Sequence, residues 1–218
     1  FELAELLRKN ELLARKCVAS KAPSRHQDFW DATHTAKEKY WAAVRLGFQG
    51  REVKIPFKQL KKLLGVYAAK LEEGIGRVYD PAKETCPTYF ENEVVEFKVL
   101  PAKKGKGGGR ETIVPRKFKQ RRLAPFLEGP MHALRVEKDP ARAKQIYDHV
   151  RGSDLFDRKL SMYTVTSNLE KESPEIGRAR VFSPGWLENQ SVFLHMEYKW
   201  LLETLKRGLT TEFFTDLQ

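Results

Sequence analysis

Ser183-Pro184-Gly185-Trp186-Leu187-Glu188-Asn189-Gln190-Ser191-Val192-Phe193-Leu194-His195 decides how the second half of the chain is read. A proline-glycine turn leads into a carboxylate-amide pair, and a lone histidine follows. Met196, Trp200 and Leu205 then fall at helical spacing, with Lys206 and Arg207 in the last turn and Gly208 as a stop. The pattern predicts a helix over 190–207 with polar groups gathered near its N-terminal end. Free backbone N–H groups and the helix dipole favour anions there. The stretch therefore reads as a loop-and-helix-end pocket for a polar ligand, phosphate among them.

Outward from this stretch, the chain reads as helix-dominated. Leu3, Leu6, Leu7, Leu12 and Leu13 predict a helix over 1–16. A second is expected from about Thr35 to Leu46. The clearest is the third, where Phe57, Leu60, Leu64, Tyr67, Leu71 and Ile75 trace one face at spacings of three and four. Residues 80–92 read as irregular. Glu93 to Leu100 alternates like a strand, and Thr112-Ile113-Val114 could return beside it as a long-looped hairpin. The tract 101–111, with Gly105 and Gly107-Gly108-Gly109, reads as a flexible, basic, glycine-rich loop. It lacks the spacing of a nucleotide-binding turn. A helix is expected over 124–136, interrupted by Gly129-Pro130. Asp139-Pro140 forms an N-cap and N1 pair for another over 140–151. Residues 154–185 read as loop with a short strand near Met162–Val165.

The 218 residues and 41% hydrophobic content suffice for a packed core. The chain starts at Phe1 without Met, and a piece of a longer protein is expected. No apolar run approaches the ~20 residues that span a bilayer, so no membrane partner is expected. Cys17 and Cys86 stand far apart, without metal-ligand spacing. A reducing, cytoplasmic setting follows, with neither disulfide framework nor metal site. The net charge of +11 is local: Lys98 to Arg122 holds ten Lys/Arg against Glu111 alone. Phe97 and Phe118 lie among them, a pattern that can serve nucleic acid. With aromatics so sparse, a solvated basic segment over 98–122 is the preferred reading.

Two constellations could carry chemistry. In Asp28-Phe29-Trp30-Asp31, two carboxylates flank two aromatics. A sugar site uses such a set, because a ring covers apolar C–H groups while a carboxyl moves protons, and apolar cover raises a carboxyl pKa as a general acid requires. In the plainer reading Trp30 is core and Asp31 caps a helix starting near Ala32. His34 lies one turn past Asp31, but two ligands without a third are a weak metal site. The second constellation is the opening stretch, where Glu188 could also be a first-turn acid and His195 a core histidine. Arg178 and Arg180, just upstream, suit an anionic or hydroxyl-rich ligand.

At Pro184-Gly185-x-x-Glu188-Asn189-x-x-x-Phe193-x-His195 the chain resembles the inverting disaccharide and β-glucan phosphorylases of glycoside hydrolase family 94, such as the cellobiose phosphorylases, and their close relatives. The resemblance implies a mainly α fold: a partial (α/α)6 toroid with a small β-hairpin insertion, with residues 1–218 forming part of one catalytic domain. It implies phosphorolysis of a β-linked glucoside or glucan to α-glucose 1-phosphate. Asp31 takes the position of the general acid, with Asp28 competing, and His195 that of the phosphate ligand. Phe29, Trp30, Arg178, Arg180, Glu188 and Asn189 are the implied substrate contacts. No metal or organic cofactor is implied. Inorganic phosphate is the co-substrate, an oligosaccharide or β-glucan the partner, and a homodimer stays open. A hydrolase on the same toroid, or a nucleic-acid-binding module using 98–122, are the alternatives.

Overall fold

The computed structural model describes residues 2–48, 50–79, 86–102 and 110–218. The chain is mainly α and divides into two compact units, Phe1–Val78 and Tyr79–Gln218. The expected loop at 101–111 falls largely on residues 103–109, outside the described residues. No helix among the described residues is long and apolar enough to cross a membrane.

The first unit holds helices α1 (Glu2–Ala19), α2 (Arg25–Val44) and α3 (Phe57–Val78), with α1 packed against both others. Ala4, Ala14, Cys17, Ala36 and Leu63 are buried here. Four of these five are the small residues alanine and cysteine, which suit tightly packed helices. Tyr67 donates its hydroxyl to the Leu7 carbonyl at 3.1 Å, tying α3 to α1. Glu73 of α3 gathers Arg25 at 3.0 Å, Lys70 at 3.1 Å and His26 at 3.3 Å, which ties the start of α2 to α3. The expected α3 forms, but its traced stripe remains outside the unit's core: Phe57 is 80% exposed and Leu71 67%. Of the stripe Tyr67 reaches α1, and among the described residues of the helix the buried one is Leu63, outside the stripe.

The expected start of α2 near Thr35 is a correction. The helix begins at Arg25, with Ser24 at the N-cap position. Asp28 lies in its first turn and accepts from the Ser24 hydroxyl at 2.9 Å. Asp31 therefore sits inside the helix and caps nothing.

In the second unit, strands β1 (Phe90–Leu100) and β2 (Thr112–Arg122) form an antiparallel hairpin, longer than the alternation alone predicts. Register shifts around Val94, Glu96 and Phe97 break the simple two-residue period. Helix α4 (Glu128–Val136) carries Gly129-Pro130 in its first turn, where proline loses no helical hydrogen bond, so the pair starts the helix and does not interrupt it. Helix α5 (Pro140–Gly152) starts as predicted, with Asp139 accepting from Ala141 N at 2.9 Å. Strands β3 (Phe156–Asp157) and β4 (Met162–Tyr163) make a short pair. Helices α6 (Leu194–Lys206) and α7 (Thr210–Leu217) are separated by Gly208, whose φ of 80° only glycine adopts freely.

The core of this unit is formed by Leu127, Met131, Leu134, Ile146, Val150 and Trp200 with their neighbours, at three- and four-residue spacing on α4 and α5. Trp200 is fully buried, 6.2 Å from the parallel Tyr147 ring and 5.7 Å from Tyr163. Asp216 fastens α7 to this core. Its buried carboxylate accepts from Tyr147 at 2.9 Å and from Tyr163 at 2.5 Å, and faces Arg151 at 3.0 Å. Burial, and then the Asp216 hydrogen bond and charge, push the Tyr147 phenol up to about 12 and Tyr163 higher still.

Candidate functional site

The Ser183–His195 stretch is a rigid turn rather than the first turns of a helix. Gly185 (φ 87°), Leu187 (φ 48°) and Gln190 (φ 54°) are left-handed, so α6 starts only at Leu194 and not at 190. For a leucine this backbone is strained by roughly 1–3 kcal/mol and persists only where the surroundings fix it. They do so here through several hydrogen bonds. Gly185 N donates to Asn189 O at 2.8 Å and Asn189 N to Trp186 O at 3.2 Å. Thr166 donates its hydroxyl to Glu188 O at 2.7 Å and accepts from Gln190 N at 3.1 Å. Val165 N donates to Ser191 O at 2.8 Å.

Asn189 is the pin of this turn. It is fully buried, donates its amide to Phe182 O at 2.7 Å and accepts from Leu169 N at 3.4 Å. The expected substrate contact at Asn189 is thus replaced by a structural role, because both ends of its side chain are spent on backbone. Glu197, two residues past His195, does a similar job at the start of α6. It is buried and accepts from Tyr163 N at 2.9 Å. Burial pushes its carboxyl up, the Tyr163 bond works against this, and the Asp216 charge adds to it.

His195 is exposed in the first turn of α6, its ring 5.6 Å from that of Phe193. The core-histidine reading therefore fails, and the ring is free to meet a ligand. Arg180 donates from Nε to Glu170 O at 3.3 Å, which turns it toward its own loop. Arg178 reaches Glu188 at 3.4 Å. The other Glu188 oxygen, Oε2, is buried without a hydrogen-bond partner among the described residues.

Arg178 and Glu188 share a cleft of about 560 Å³. Its opposite side is the base of the hairpin, with Tyr89, Phe90, Glu91 and Asn92. Phe126 and Glu175 complete the walls that matter chemically. Tyr89 is held in place: its hydroxyl donates to Glu128 at 3.0 Å, and its ring meets Phe126 edge-on at 4.8 Å. The hydrogen bond from Arg121, which also contacts Glu172 at 2.8 Å, lowers the Glu91 pKa and keeps that carboxylate ionised. Of the predicted residues, Arg178 and Glu188 line this cleft; His195, Arg180 and Asn189 do not. The sequence reading missed Tyr89, Phe90, Glu91, Asn92, Phe126 and Glu175. The run Tyr89-Phe90-Glu91-Asn92 carries the aromatic-acid-amide signal that could have flagged them.

The other constellation lies in the first unit, on α2. Trp30 is 59% exposed and stacks on His34 at 5.2 Å, so it is not core. His34 also faces Glu38 at 3.9 Å. Phe29 is half-buried under the Lys70 ammonium, 5.3 Å from the ring centre. Asp31 is exposed, and Gln27 donates to it at 3.4 Å. Apolar cover of Asp31, the feature expected of a general acid, is not supplied by its own helix. Asp31 belongs to the first compact unit and His195 to the second.

Part of the basic segment is answered across the hairpin. Glu91 takes Arg121, and the register sets Glu93 opposite Lys119 and Glu96 opposite Lys117. Opposite charges at facing positions stabilise the strand pair and offset these three of the ten basic residues. Comparisons of the chain with protein-family models, curated proteins and solved structures returned no match.

Proposed function

We propose that this chain belongs to the catalytic domain of an inverting glycoside phosphorylase acting on a β-linked glucoside or glucan. The observation that carries the reading is the fixed Ser183–His195 turn. It presents an exposed histidine on the first turn of α6 and, through Glu188, meets Arg178 at an aromatic-walled cleft. Strained backbone held by a buried asparagine is a cost that a site needing fixed geometry explains.

In this mechanism a general acid, the role the resemblance gives Asp31, protonates the glycosidic oxygen as its bond to the anomeric carbon breaks. Inorganic phosphate, the ligand the resemblance gives His195 at the helix N-terminus, attacks the anomeric carbon from the face opposite the leaving group. The β-linkage becomes α-glucose 1-phosphate, and the departing saccharide keeps the proton as a free hydroxyl. Phosphate takes the place of base-activated water, so no second catalytic carboxylate is required. The proposal includes an (α/α)6 toroid, whose paired helices the α4–α5 and α6–α7 neighbours would supply in part, and a cytoplasmic location. No metal or organic cofactor enters the scheme.

One observation favours a hydrolase on the same scaffold: Glu91, Glu175 and Glu188 all line the cleft, and one of them could activate water. Incubating the full-length protein with β-glucan oligosaccharides, with and without phosphate, separates the two. Sugar release that depends on phosphate supports the phosphorylase, and phosphate-independent release of glucose supports the hydrolase.

A further inference from the structure

We propose that the cleft between the base of the hairpin and the Arg178–Glu188 pair is a subsite for an uncharged β-glucan chain, and that the hairpin sets the chain length the protein prefers. The inference deepens the phosphorylase reading and rests on it for the identity of the sugar. The volume of about 560 Å³ suits a small-molecule ligand and leaves room for sugar rings. Tyr89 offers a ring already immobilised by Glu128 and Phe126, so little entropy is lost when a sugar face covers it.

The polar groups favour hydroxyls over ions. Arg121, shared between Glu91 and Glu172, and Arg178, at Glu188, leave two of the three lining carboxylates beside a guanidinium. The cleft is therefore rich in acceptors, with its negative charge partly compensated. A buried acceptor without a partner, such as Glu188 Oε2, calls for a donor, and a sugar hydroxyl supplies one without bringing charge. Phosphate would find a single guanidinium already engaged by a carboxylate. A polycation would meet two guanidiniums already placed beside these carboxylates. Asn92, facing Gln120 across the hairpin, adds an amide that can both donate and accept.

The test is titration of the full-length protein with cellotetraose and laminaritetraose in phosphate-free buffer, beside spermidine as a cation. Asn92→Ala and Tyr89→Ala should each weaken tetrasaccharide binding by about tenfold, as loss of one well-placed contact does. Tyr89→Phe, which keeps the ring, should retain most of it. Asn92 is exposed on the hairpin, so its variant folds even where Tyr89→Ala does not. In turnover, the tetrasaccharide-to-disaccharide ratio of kcat/KM should fall by the same factor. Unchanged binding in Asn92→Ala and Tyr89→Ala overturns the inference, as does wild-type protein that binds spermidine but neither tetrasaccharide. Variant-sensitive binding without any glucose 1-phosphate upholds the subsite and removes the phosphorylase. Phosphorolysis with an unchanged length preference does the reverse.

Discussion

The side-chain amide of Asn189 donates to the carbonyl of Phe182 at 2.7 Å, closing the loop that delivers Glu188 to the cleft and His195 to the start of α6. A fully buried amide bonded at both ends is costly to lose, because its partners cannot turn to water.

Asn189→Ala should therefore cost about 2 kcal/mol or more, since it strands two backbone groups in a buried site. Asn189→Asp keeps the acceptor but removes the donor to Phe182, and should also destabilise. Thermal unfolding measures both. A variant melting with the wild type would show that the turn is fixed without the Asn189 side chain.

Asp216→Asn should loosen α7. The carboxylate is buried and serves Tyr147, Tyr163 and Arg151 together, so the change leaves Arg151 without its counter-charge. Breaking such a pair costs about 3 kcal/mol, which lowers Tm by roughly 6–12 °C in a chain of this size. Rapid proteolysis near residues 210–217 should accompany it, and an unaltered Tm would refute the latch.

Acid should weaken the first unit in two stages. Burial and the Arg77 charge lower His26 below its ordinary 6.5. Burial pushes Glu73 up, but the hydrogen bonds from Arg25 and Lys70 and nearby positive charge outweigh it and hold the carboxyl at about 2. Both groups bind protons more readily when unfolded, so their stabilisation is present above their free values and falls with pH. The His26 share is lost as pH drops through and below 6.5, and the Glu73 share between 4.5 and about 2. Hydrogen exchange of α1 to α3 from pH 7 to pH 3 reads this directly. Protection that holds or rises on acidification contradicts it.

Much of the helix pattern was legible because its signals are local. Asp139-Pro140 fixed the start of α5, and Gly208 fixed the end of α6, through residue types with few other uses at those positions. The start of α2 was missed because Ser24 caps no backbone N–H and spends its hydroxyl on Asp28, while Pro23 beside it reads as loop. The length of β2 was hidden by Pro115 and the register shifts opposite it. For the site, the Glu-Asn pair was visible, but the division of labour within it was not. Asn189 is structural because of Phe182 and Leu169, and Glu188 meets Arg178 only after the loop folds back. The cleft joins residues 89–92 to residues 175–188, a proximity no local spacing encodes.

His195→Asn should raise the KM for phosphate more than that for saccharide, if the ring meets phosphate as proposed. Arg178→Gln, in contrast, should act mainly on the saccharide KM, since its guanidinium lies at the cleft wall. Initial rates over a grid of both substrates separate the two effects. Equal effects of both variants on both KM values would remove the proposed division between a phosphate side and a sugar side.

The most direct measurement is phosphorus NMR of the full-length protein incubated with a β-glucan oligosaccharide and inorganic phosphate, run beside Asp31→Asn. The account predicts a growing signal of α-glucose 1-phosphate, slowed about 10²–10⁴-fold in the variant, as loss of a general acid requires. Glucose released without phosphate consumption, or full turnover in Asp31→Asn, would contradict it.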